Sequence, residues 1–370
     1  MRHLSRPLAL TLIAALAIGA CGSTAGSASP AAPSDPAATA PSAEPSAQAS
    51  APPSAAPSTG LSGTLTIYAG RSEELVGPLI EQFKTSTGLD VRVDYAGTTD
   101  LAATILEEGD ASPADVFFAQ DAGALGAVAA EGRLATLPAT TLALVDPRFA
   151  SDQGQWVGVS GRARVVVYDT RVLSEADLPT TIDGFTDPAW SGRIGWAPTN
   201  ASFQSFVTAY RVLKGDAAAK SWLEAIAANQ PKVYDGNDAV LAAVAAGEVE
   251  VGFINHYYLM RQLIEQGEAF PVRNFFLAAG DPGSLVNVAG AGILSTSKNP
   301  AAAQAFIEFL LSTESQTYFA TQTSEYPLIA GVEADAALPP LDQIQSPEID
   351  LSDLSDLDGT LRLMQEAGVL

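Results

Sequence analysis

Two adjacent tyrosines, Tyr257 and Tyr258, are the residues whose type and spacing first suggest chemistry. They follow residues 249–254, in which apolar positions alternate with Glu and Gly as in a short, mostly buried strand. Asn255 ends this run and can cap the helix predicted over residues 258–265. Because open α/β sheets bind ligands beyond the carboxyl ends of their strands, we expect both phenols near such an edge.

A pair of phenols suits one class of metal ion. A free phenol has a pKa of about 10, so holding one as phenolate at pH 7 costs roughly 4 kcal/mol, and holding two costs roughly 8 kcal/mol. Calcium or magnesium would hardly offset this cost, because carboxylates are already ionised at neutral pH. A small trivalent cation can offset the cost of ionising both phenols, and ferric iron is such a cation and favours oxygen ligands. The alternative is that the two rings pack at an interface with their hydroxyls in water.

Composition and charge exclude several other functions. The chain contains one cysteine, Cys21, and two histidines, His3 and His256, so we expect no typical zinc or copper site. The formal net charge of −23 argues against nucleic acid as a partner. We find neither a phosphate-binding G-x-x-x-x-G-K-[ST] motif nor a G-x-S-x-G motif, and we predict that the protein is not an enzyme.

The N-terminus has the pattern of an export signal. Residues 1–20 contain Arg2 and Arg6 and then an apolar run that is too short to span a membrane. The sequence I-G-A-C, which ends at Cys21, is similar to a bacterial lipobox, and it predicts cleavage before Cys21 and a lipid on that cysteine; a stray cysteine is the alternative. Residues 21–60 are mostly Ala, Pro, Ser, Thr and Gly, so we predict a disordered linker. The protein should therefore be exported and anchored to the outer face of the cell membrane.

The remaining residues, about 310 in number, are enough for two lobes. They begin with three strand–helix units, in the order expected of a doubly wound α/β lobe. The loops that follow these strands should meet at one edge of the sheet. These loops are residues 69–73, 97–99 and 119–122.

Later segments should link and complete the lobes. Strand patterns at residues 157–160 and 164–168, separated by Gly161, contain small and polar residues that suit a crossing between lobes. We also predict separate strands at residues 286–289 and 292–294, and a single helix over residues 351–365. The first lobe is predicted from residues 61–160 and 289–338, and the second from residues 161–288 and 339–370.

A second candidate site lies at the start of the helix predicted over residues 203–214. The sequence P-T-N-A-S precedes it, and it places Asn200, Ala201 and Ser202 at the helix start. The free backbone N–H groups of a helix start can bind an anion. An ordinary N-cap by Asn200 or Ser202 is the alternative.

Seven segments, taken in order, resemble the periplasmic ferric-ion-binding proteins of ABC importers, which are bacterial counterparts of transferrin. The resemblance covers nearly all of residues 61–370. It implies a two-lobed periplasmic-binding-protein fold whose lobes, each a doubly wound mixed sheet, are hinged by crossing strands and close on one ion. It also implies a monomer that delivers iron to an ABC permease with its ATPase. The segments are L-T-I-Y-A-G-R-S-E from Leu65, S-P-A-D-V-F-F-A-Q-D from Ser112, R-A-R-V-V-V-Y-D-T-R from Arg162, P-A-W-S-G-R-I-G-W-A-P-T from Pro188, I-N-H-Y-Y from Ile254, D-P-G-S-L-V from Asp281 and S-E-Y-P-L from Ser324.

By this resemblance, Tyr257 and Tyr258 match the paired ferric phenolates of the family. An exogenous anion, usually phosphate or carbonate, completes the coordination of Fe(III) in these proteins. The residues that match its seat are Asn200, Ala201, Asn237 and Asn255, and Ser202 joins them at the helix start.

Two positions depart from the best-known members. Ser72 and Gln120 stand where those members carry a histidine and a glutamate that bind iron. Asp121, one residue further on, can replace the lost carboxylate, or it can simply be the N-terminal charge of the next helix. A site with fewer protein ligands should depend more strongly on the synergistic anion. The same changes keep open an alternative function, in which this fold binds an organic phosphate or phosphonate.

Overall fold

The structure is a computed structural model that describes residues 60–370. The predicted signal, the lipidation at Cys21 and the linker through residue 59 lie outside the described residues.

Nine strands and eleven α-helices alternate along most of the described chain. The strands are β1 (Thr64–Ala69), β2 (Asp90–Tyr95), β3 (Val116–Ala119), β4 (Val157–Asp169), β5 (Ile194–Trp196), β6 (Lys232–Val233), β7 (Val251–Asn255), β8 (Val272–Phe275) and β9 (Val286–Ile293). The helices are α1 (Glu73–Thr87), α2 (Thr98–Glu108), α3 (Ala122–Ala130), α4 (Ala139–Leu142), α5 (Ala201–Lys214), α6 (Asp216–Ala228), α7 (Asn237–Ala246), α8 (Tyr257–Gln266), α9 (Pro300–Leu310), α10 (Thr313–Gln322) and α11 (Leu357–Glu366). Short 3-10 helices lie at Gly109–Ala111, Pro147–Phe149, Glu175–Asp177, Ile182–Thr186, Pro188–Trp190, Pro282–Ser284 and Leu351–Ser355.

The strands form one mixed sheet in the order β2-β1-β3-β9-β4-β7-β5-β6, with β8 paired to β4. Strands β2, β1 and β3 are parallel, and β9 runs antiparallel to both β3 and β4. The N-terminal part of β4 pairs with β9, whereas its C-terminal part pairs with β7 and β8. Strands β4 and β9 therefore connect the two ends of the sheet.

The described residues form two hydrophobic cores, and the larger one extends from the β1–β3 end of the sheet past β4 to α7 and α8. The larger core includes the edge-to-face pair of Phe83 and Phe306, whose ring centroids are 5.2 Å apart. The smaller core surrounds Trp222, whose ring centroid lies 5.3 Å from that of Phe206 and 6.3 Å from that of Phe253. Burying a large apolar side chain stabilises the fold by about 1.5–3 kcal/mol, so both cores contribute strongly to its stability.

The crossing strand is continuous, so the predicted break at Gly161 is wrong. Every residue of β4 is buried. Gly161 exchanges backbone hydrogen bonds of 2.7 and 3.0 Å with Tyr326, and a Cβ at position 161 would lie 3.0 Å from the Tyr326 Cβ. This glycine makes room for a neighbouring segment within a continuous strand, whose pairing with β9 shifts register once, between Gly158 and Ser160.

Two other predicted boundaries also differ. Strand β9 is likewise continuous, because Gly290 and Ala291 pair with Gly158 and Val157 of β4. A Cβ at position 290 would lie 2.8 Å from the Val157 carbonyl oxygen. The predicted C-terminal helix is interrupted at Asp356, whose carboxylate accepts a hydrogen bond from the Gly359 N–H and caps α11. None of the helices in residues 60–370 has both the length and the hydrophobicity needed to cross a bilayer.

Candidate metal centre

The tyrosine pair lies where strand β7 ends and helix α8 begins. Tyr257 is 1% exposed and Tyr258 is 8% exposed. Their rings stack with centroids 4.2 Å apart and an interplanar angle of 27°. His256, and not Asn255, occupies the N-cap position of α8; Asn255 is the last residue of β7, and its Nδ2 is buried without a hydrogen-bond partner.

His256 fixes the backbone turn that carries the pair. The imidazole is fully buried, its Nδ1 accepts a hydrogen bond of 3.2 Å from the Ala163 N–H, and its Nε2 donates one of 2.8 Å to the Ser324 carbonyl. Burial lowers the pKa of His256 to about 4, so the ring is neutral at pH 7. The Asn274 Nδ2 donates to the His256 carbonyl at 3.0 Å. The turn is therefore tied to β4, to β8 and to the segment that contains Ser324.

Burial and neighbouring charges act in opposite directions on Tyr257. Burial and the adjacent Tyr258 raise the pKa of the Tyr257 phenol well above its usual value, whereas Arg71 and Arg162 lower it. The Arg71 guanidinium lies 5.8 Å from the centre of the Tyr257 ring. This phenol is therefore protonated at neutral pH without a metal, and nearby cations reduce the cost of ionising it.

A cluster of buried charges surrounds the pair, and we call Arg71, Arg162, Arg164 and Glu325 the arginine cluster. The Arg71 Nη2 donates to both carboxylate oxygens of Glu325, each at 2.8 Å. The Arg162 Nε lies 4.0 Å from a Glu325 oxygen, and none of the three Arg162 nitrogens has a hydrogen-bond partner in residues 60–370.

Arg164 completes the cluster. Its Nη2 donates to the Phe253 carbonyl at 3.1 Å, and its guanidinium lies over the rings of Phe203 and Phe206. Burial lowers the pKa of Arg164 to about 9, which leaves the group charged at neutral pH. Sequence reasoning missed the cluster, although the alternation R-A-R at the predicted crossing between lobes is a signal for two cations on one face of a strand.

The predicted loops do meet at one edge of the sheet. The Gly70 N–H donates to the Phe118 carbonyl at 2.8 Å, and the Thr98 hydroxyl donates to the Gly70 carbonyl at 3.0 Å. The same hydroxyl accepts from the Gln120 N–H at 3.0 Å. Gln120 is half-buried with its Nε2 unpartnered, whereas Ser72 is exposed at the N-cap of α1. The loop carrying Ser72 contributes its buried neighbour, Arg71, to the site.

Asp121 is the N-cap of α3, as its alternative interpretation predicted. Its Oδ1 accepts hydrogen bonds from the Ala124 N–H at 3.0 Å and from the Ser205 hydroxyl at 2.6 Å. Its Oδ2 is buried without a partner in the described chain. Burial raises the pKa of this carboxyl, which hydrogen bonds and Arg162 partly counteract. One oxygen of Asp121 is therefore occupied and the other is available.

The start of α5 is also capped in the ordinary way. The Asn200 Oδ1 accepts from the Ser202 N–H at 3.0 Å and from the Ser202 hydroxyl at 2.6 Å. The Asn237 Nδ2 lies 3.3 Å from the Ser202 hydroxyl, and the Asn237 Oδ1 has no partner in residues 60–370. Ala201 is buried beside them. The structure brings these residues together, but the cap already uses one of the N–H groups that an anion would need.

Three contacts join the first strand–helix units to helices α5 and α8. The Thr99 hydroxyl donates to the Gln204 Oε1 at 2.9 Å, and Asp121 accepts from Ser205. A third contact is the ion pair between Glu74 of α1 and Arg261 of α8. The tyrosine pair and the arginine cluster thus lie in a closed arrangement.

Known proteins share this sequence and fold. The family model for bacterial extracellular solute-binding proteins matches residues 78–345. The major ferric iron-binding protein of Neisseria meningitidis serogroup B is 36% identical over 308 residues, which cover 82% of this chain and 93% of that protein. Iron-bound HitA from Pseudomonas aeruginosa superposes with a TM-score of 0.79 and 38% identity, over 82% of this chain and 99% of that chain. Trichodesmium IdiA (FutA), in complex with iron and citrate, has a TM-score of 0.70 and 29% identity, over 83% of this chain and 100% of that chain.

These similarities confirm the two-lobed α/β fold that the sequence predicts; the residue boundaries of the lobes stay a prediction. They extend over most of this chain and nearly the whole of each relative. The chain therefore belongs to the bacterial extracellular solute-binding proteins, in the family of the periplasmic ferric-ion-binding proteins.

Proposed function

We propose that this protein is the substrate-binding component of an ABC importer and that it binds ferric iron between its lobes through Tyr257 and Tyr258. A synergistic anion, phosphate or carbonate, completes the coordination, and the closed protein delivers iron to the permease and its ATPase. The observation that carries the proposal is the stacked, buried phenol pair beside two guanidinium groups. It involves no catalytic step.

The available ligands support this choice of metal. Residues 60–370 contain no group of three or more His, Cys, Asp or Glu side chains placed to hold a metal ion. A metal at this place would therefore have to use the phenol oxygens. A trivalent cation can displace their protons, whereas calcium and magnesium prefer several carboxylates.

The formal charge of the site supports the proposed anion. The site contains three buried guanidinium groups, those of Arg71, Arg162 and Arg164, and two buried carboxylates, those of Glu325 and Asp121, so its formal charge is positive by one. Replacing two phenol protons by a trivalent ion adds one further positive charge. A dianion such as hydrogenphosphate or carbonate would cancel this excess, which is costly to bury.

Titration of the apoprotein with ferric nitrilotriacetate, with and without phosphate, tests the proposal. We expect a visible phenolate-to-iron charge-transfer band and clearly tighter binding with phosphate. The double variant Tyr257→Phe/Tyr258→Phe should give no band. A colourless saturated wild-type complex would exclude phenolate ligands, and equal affinity with and without phosphate would argue against a synergistic anion.

The unpartnered Asn255 Nδ2, a hydrogen-bond donor, favours a second candidate function, the binding of an organic phosphate or phosphonate in the same fold. Such a ligand could bind this donor and the arginine cluster without iron. Calorimetry with ferric citrate and with a panel of phosphorylated solutes separates the two functions. Heat from a phosphorylated solute alone would favour the second one.

Membrane attachment through a lipid on Cys21 belongs to the same proposal. It would keep a monomeric receptor close to its permease. The variant Cys21→Ala should appear in the soluble fraction, whereas the wild type should fractionate with membranes. Wild-type protein that is fully soluble after processing would exclude the anchor.

A further inference from the structure

The last helical part of the chain, residues 351–366, is anchored in both hydrophobic cores, and we call it the C-terminal strap. Its first part, a 3-10 helix, contacts α3, and its second part, α11, contacts α5 and α6. Leu351 and Leu354 are buried in the larger core, whereas Leu363 and Met364 are buried in the smaller core. A short stretch of chain therefore links two separate sets of packed side chains.

The two sets of helices belong to different parts of the sheet. Helix α3 follows β3, and α5 follows β5. These two strands lie on opposite sides of β4 in the order of the sheet. The strap thus runs beside the crossing strands β4 and β9 as a further connection between the same two parts of the molecule.

Helix α3 holds the first part of the strap at two glycines. A Cβ at position 123 would lie 3.0 Å from the Leu354 carbonyl oxygen, and a Cβ at position 126 would lie 2.9 Å from the Ser355 Cβ. The lack of side chains at Gly123 and Gly126 lets the backbone of the strap lie directly on the helix. Leu354 is fully buried there, so leaving α3 would expose its side chain to water.

Polar contacts hold the second part of the strap on α5. The hydroxyl oxygens of Thr208 and Thr360 are buried and lie 2.7 Å apart. The Arg211 guanidinium donates to the Asp356 carbonyl oxygen at 3.1 Å, to the Asp356 Oδ2 at 2.9 Å and to the Thr360 hydroxyl at 2.9 Å. Asp356 therefore moves with α5.

The two anchored parts meet at a short joint. Residues 355–358 are half-buried or exposed, whereas Leu354 before them and Gly359 after them are buried. The helical geometry is interrupted at Asp356, where φ is −78° and ψ is 62°. Because each part is anchored to a different helix, any movement of α3 relative to α5 has to bend or stretch the chain at this joint.

The strap also lies beside a direct contact between these helices. The Ser205 hydroxyl of α5 donates to the Oδ1 of Asp121, the N-cap of α3, at 2.6 Å. The Cβ position of residue 123 is 2.8 Å from the Ser205 Oγ and 3.0 Å from the Leu354 carbonyl oxygen, so the strap reaches the place where α3 and α5 touch.

We propose that the C-terminal strap restrains the opening of the cleft: it keeps both anchors, bends at residues 355–358 and favours the form in which α3 and α5 are in contact. The inference goes beyond the proposed function, because it concerns the movement of the lobes with or without iron. Its test is therefore made on the iron-free protein.

Lengthening the joint tests the restraint. Eight residues of alternating Gly and Ser are inserted between Ser355 and Asp356, which leaves both anchors unchanged. Five residues now separate Leu354 from Thr360. The probability that two chain ends meet falls with the 3/2 power of the length between them, so an increase to about thirteen residues should shift the closed–open equilibrium about fourfold toward the open form.

The opening is measured as a distance between two nitroxide labels by pulsed electron paramagnetic resonance. The labels are attached at Glu107→Cys on α2 and Glu224→Cys on α6, both exposed positions, in the full chain with Cys21→Ala, which removes the native cysteine. We expect the insertion to lengthen the mean distance and to raise the ratio of open to closed populations about fourfold.

The matched control is the same insertion between Gly331 and Val332. Leu328 and Leu338, on the two sides of that position, are both buried in the larger core, so this insertion lengthens a link within one core. It should leave the distance distribution of the wild type unchanged.

If the insertion at the joint prevents folding, Leu354→Ala replaces it. The variant weakens the anchor of the strap on α3, and Leu338→Ala removes an equally large buried side chain of the same core as its control. Both variants should lower the unfolding midpoint, because each creates a cavity. Only Leu354→Ala should raise the open population.

An unchanged distance distribution in the joint insertion, or in Leu354→Ala where the insertion does not fold, would overturn the proposal. An equal change in the matched control would overturn it as well, because the effect would then not belong to the strap. Neither outcome bears on Tyr257 and Tyr258, whose iron binding is tested separately.

Discussion

The variant Tyr257→Phe should change how ferric affinity depends on pH. Each phenol that binds iron must release its proton, and an ordinary phenol has a pKa of about 10. Burial raises the pKa of Tyr257 further, so its phenol stays protonated throughout the range in which the protein works. Two phenolate ligands then release two protons, and affinity should fall about hundredfold, or about 2.7 kcal/mol, for each unit decrease in pH. With one phenolate ligand, the affinity should fall only about tenfold for each unit decrease in pH.

The assay is competition with a chelator whose own protonation is known, at constant phosphate, followed at the charge-transfer band. We expect the wild type to show the steeper dependence and Tyr257→Phe the shallower one. Tyr326→Phe is the matched control, because Tyr326 is a buried phenol that donates to the Pro339 carbonyl and packs 4.9 Å from His256. The control should keep the wild-type slope.

A Tyr257→Phe variant with the same slope as the wild type would show that Tyr257 releases no proton on binding iron. A shallow slope in the wild type would show that at most one phenol binds the metal. In either case the phenolate pair would be refuted, whatever the absolute affinity.

Two further predictions concern closure and pH stability. Glu74→Gln removes the ion pair between Glu74, whose side chain is 74% exposed, and Arg261, whose side chain is 19% exposed. Such an exposed pair contributes at most about 1 kcal/mol. Iron release to a chelator, measured by stopped flow, should therefore be up to about fivefold faster in the variant. Glu81→Gln is the matched control, because Glu81 lies on the same helix but pairs with Lys84, and it should release iron at the wild-type rate. An unchanged rate in Glu74→Gln would exclude the Glu74–Arg261 pair as a closing contact. The pKa of His256 is lowered to about 4 in the folded protein, so the unfolded chain binds a proton at higher pH than the folded one. The free energy of unfolding of the iron-free protein should therefore be highest above about pH 6.5 and fall by about 3 kcal/mol as the pH is lowered to about 4, as measured by urea unfolding. His256→Gln should remove this part of the pH dependence, and an equally steep loss in that variant would assign it to other groups.

The sequence by itself determined the parts that depend on near neighbours in the chain. The alternation before Tyr257 predicted a buried strand that ends at the phenol pair, and the order of strands and helices predicted three loops at one edge. Both follow from the periods of strands and helices, which involve only nearby residues. Asp121 and Asn200 could each be read as a cap or as a ligand, because the same side-chain oxygen serves either purpose. The local hydrogen bonds show that both residues are helix caps. The Oδ2 of Asp121 has no partner among the described residues, so Asp121 can still act as a ligand as well.

Only the tertiary structure decided which charges surround the phenols. Arg71 and Glu325 are 254 residues apart in the chain, and Arg162 reaches them from the crossing strand. The residue periods of strands and helices do not relate positions so far apart in the chain. Their contact depends on the order of strands in the sheet and on which strand passes through both halves. The continuity of β4 past Gly161 was hidden for the same reason, since the residue that fills the space above that glycine, Tyr326, comes from a distant segment.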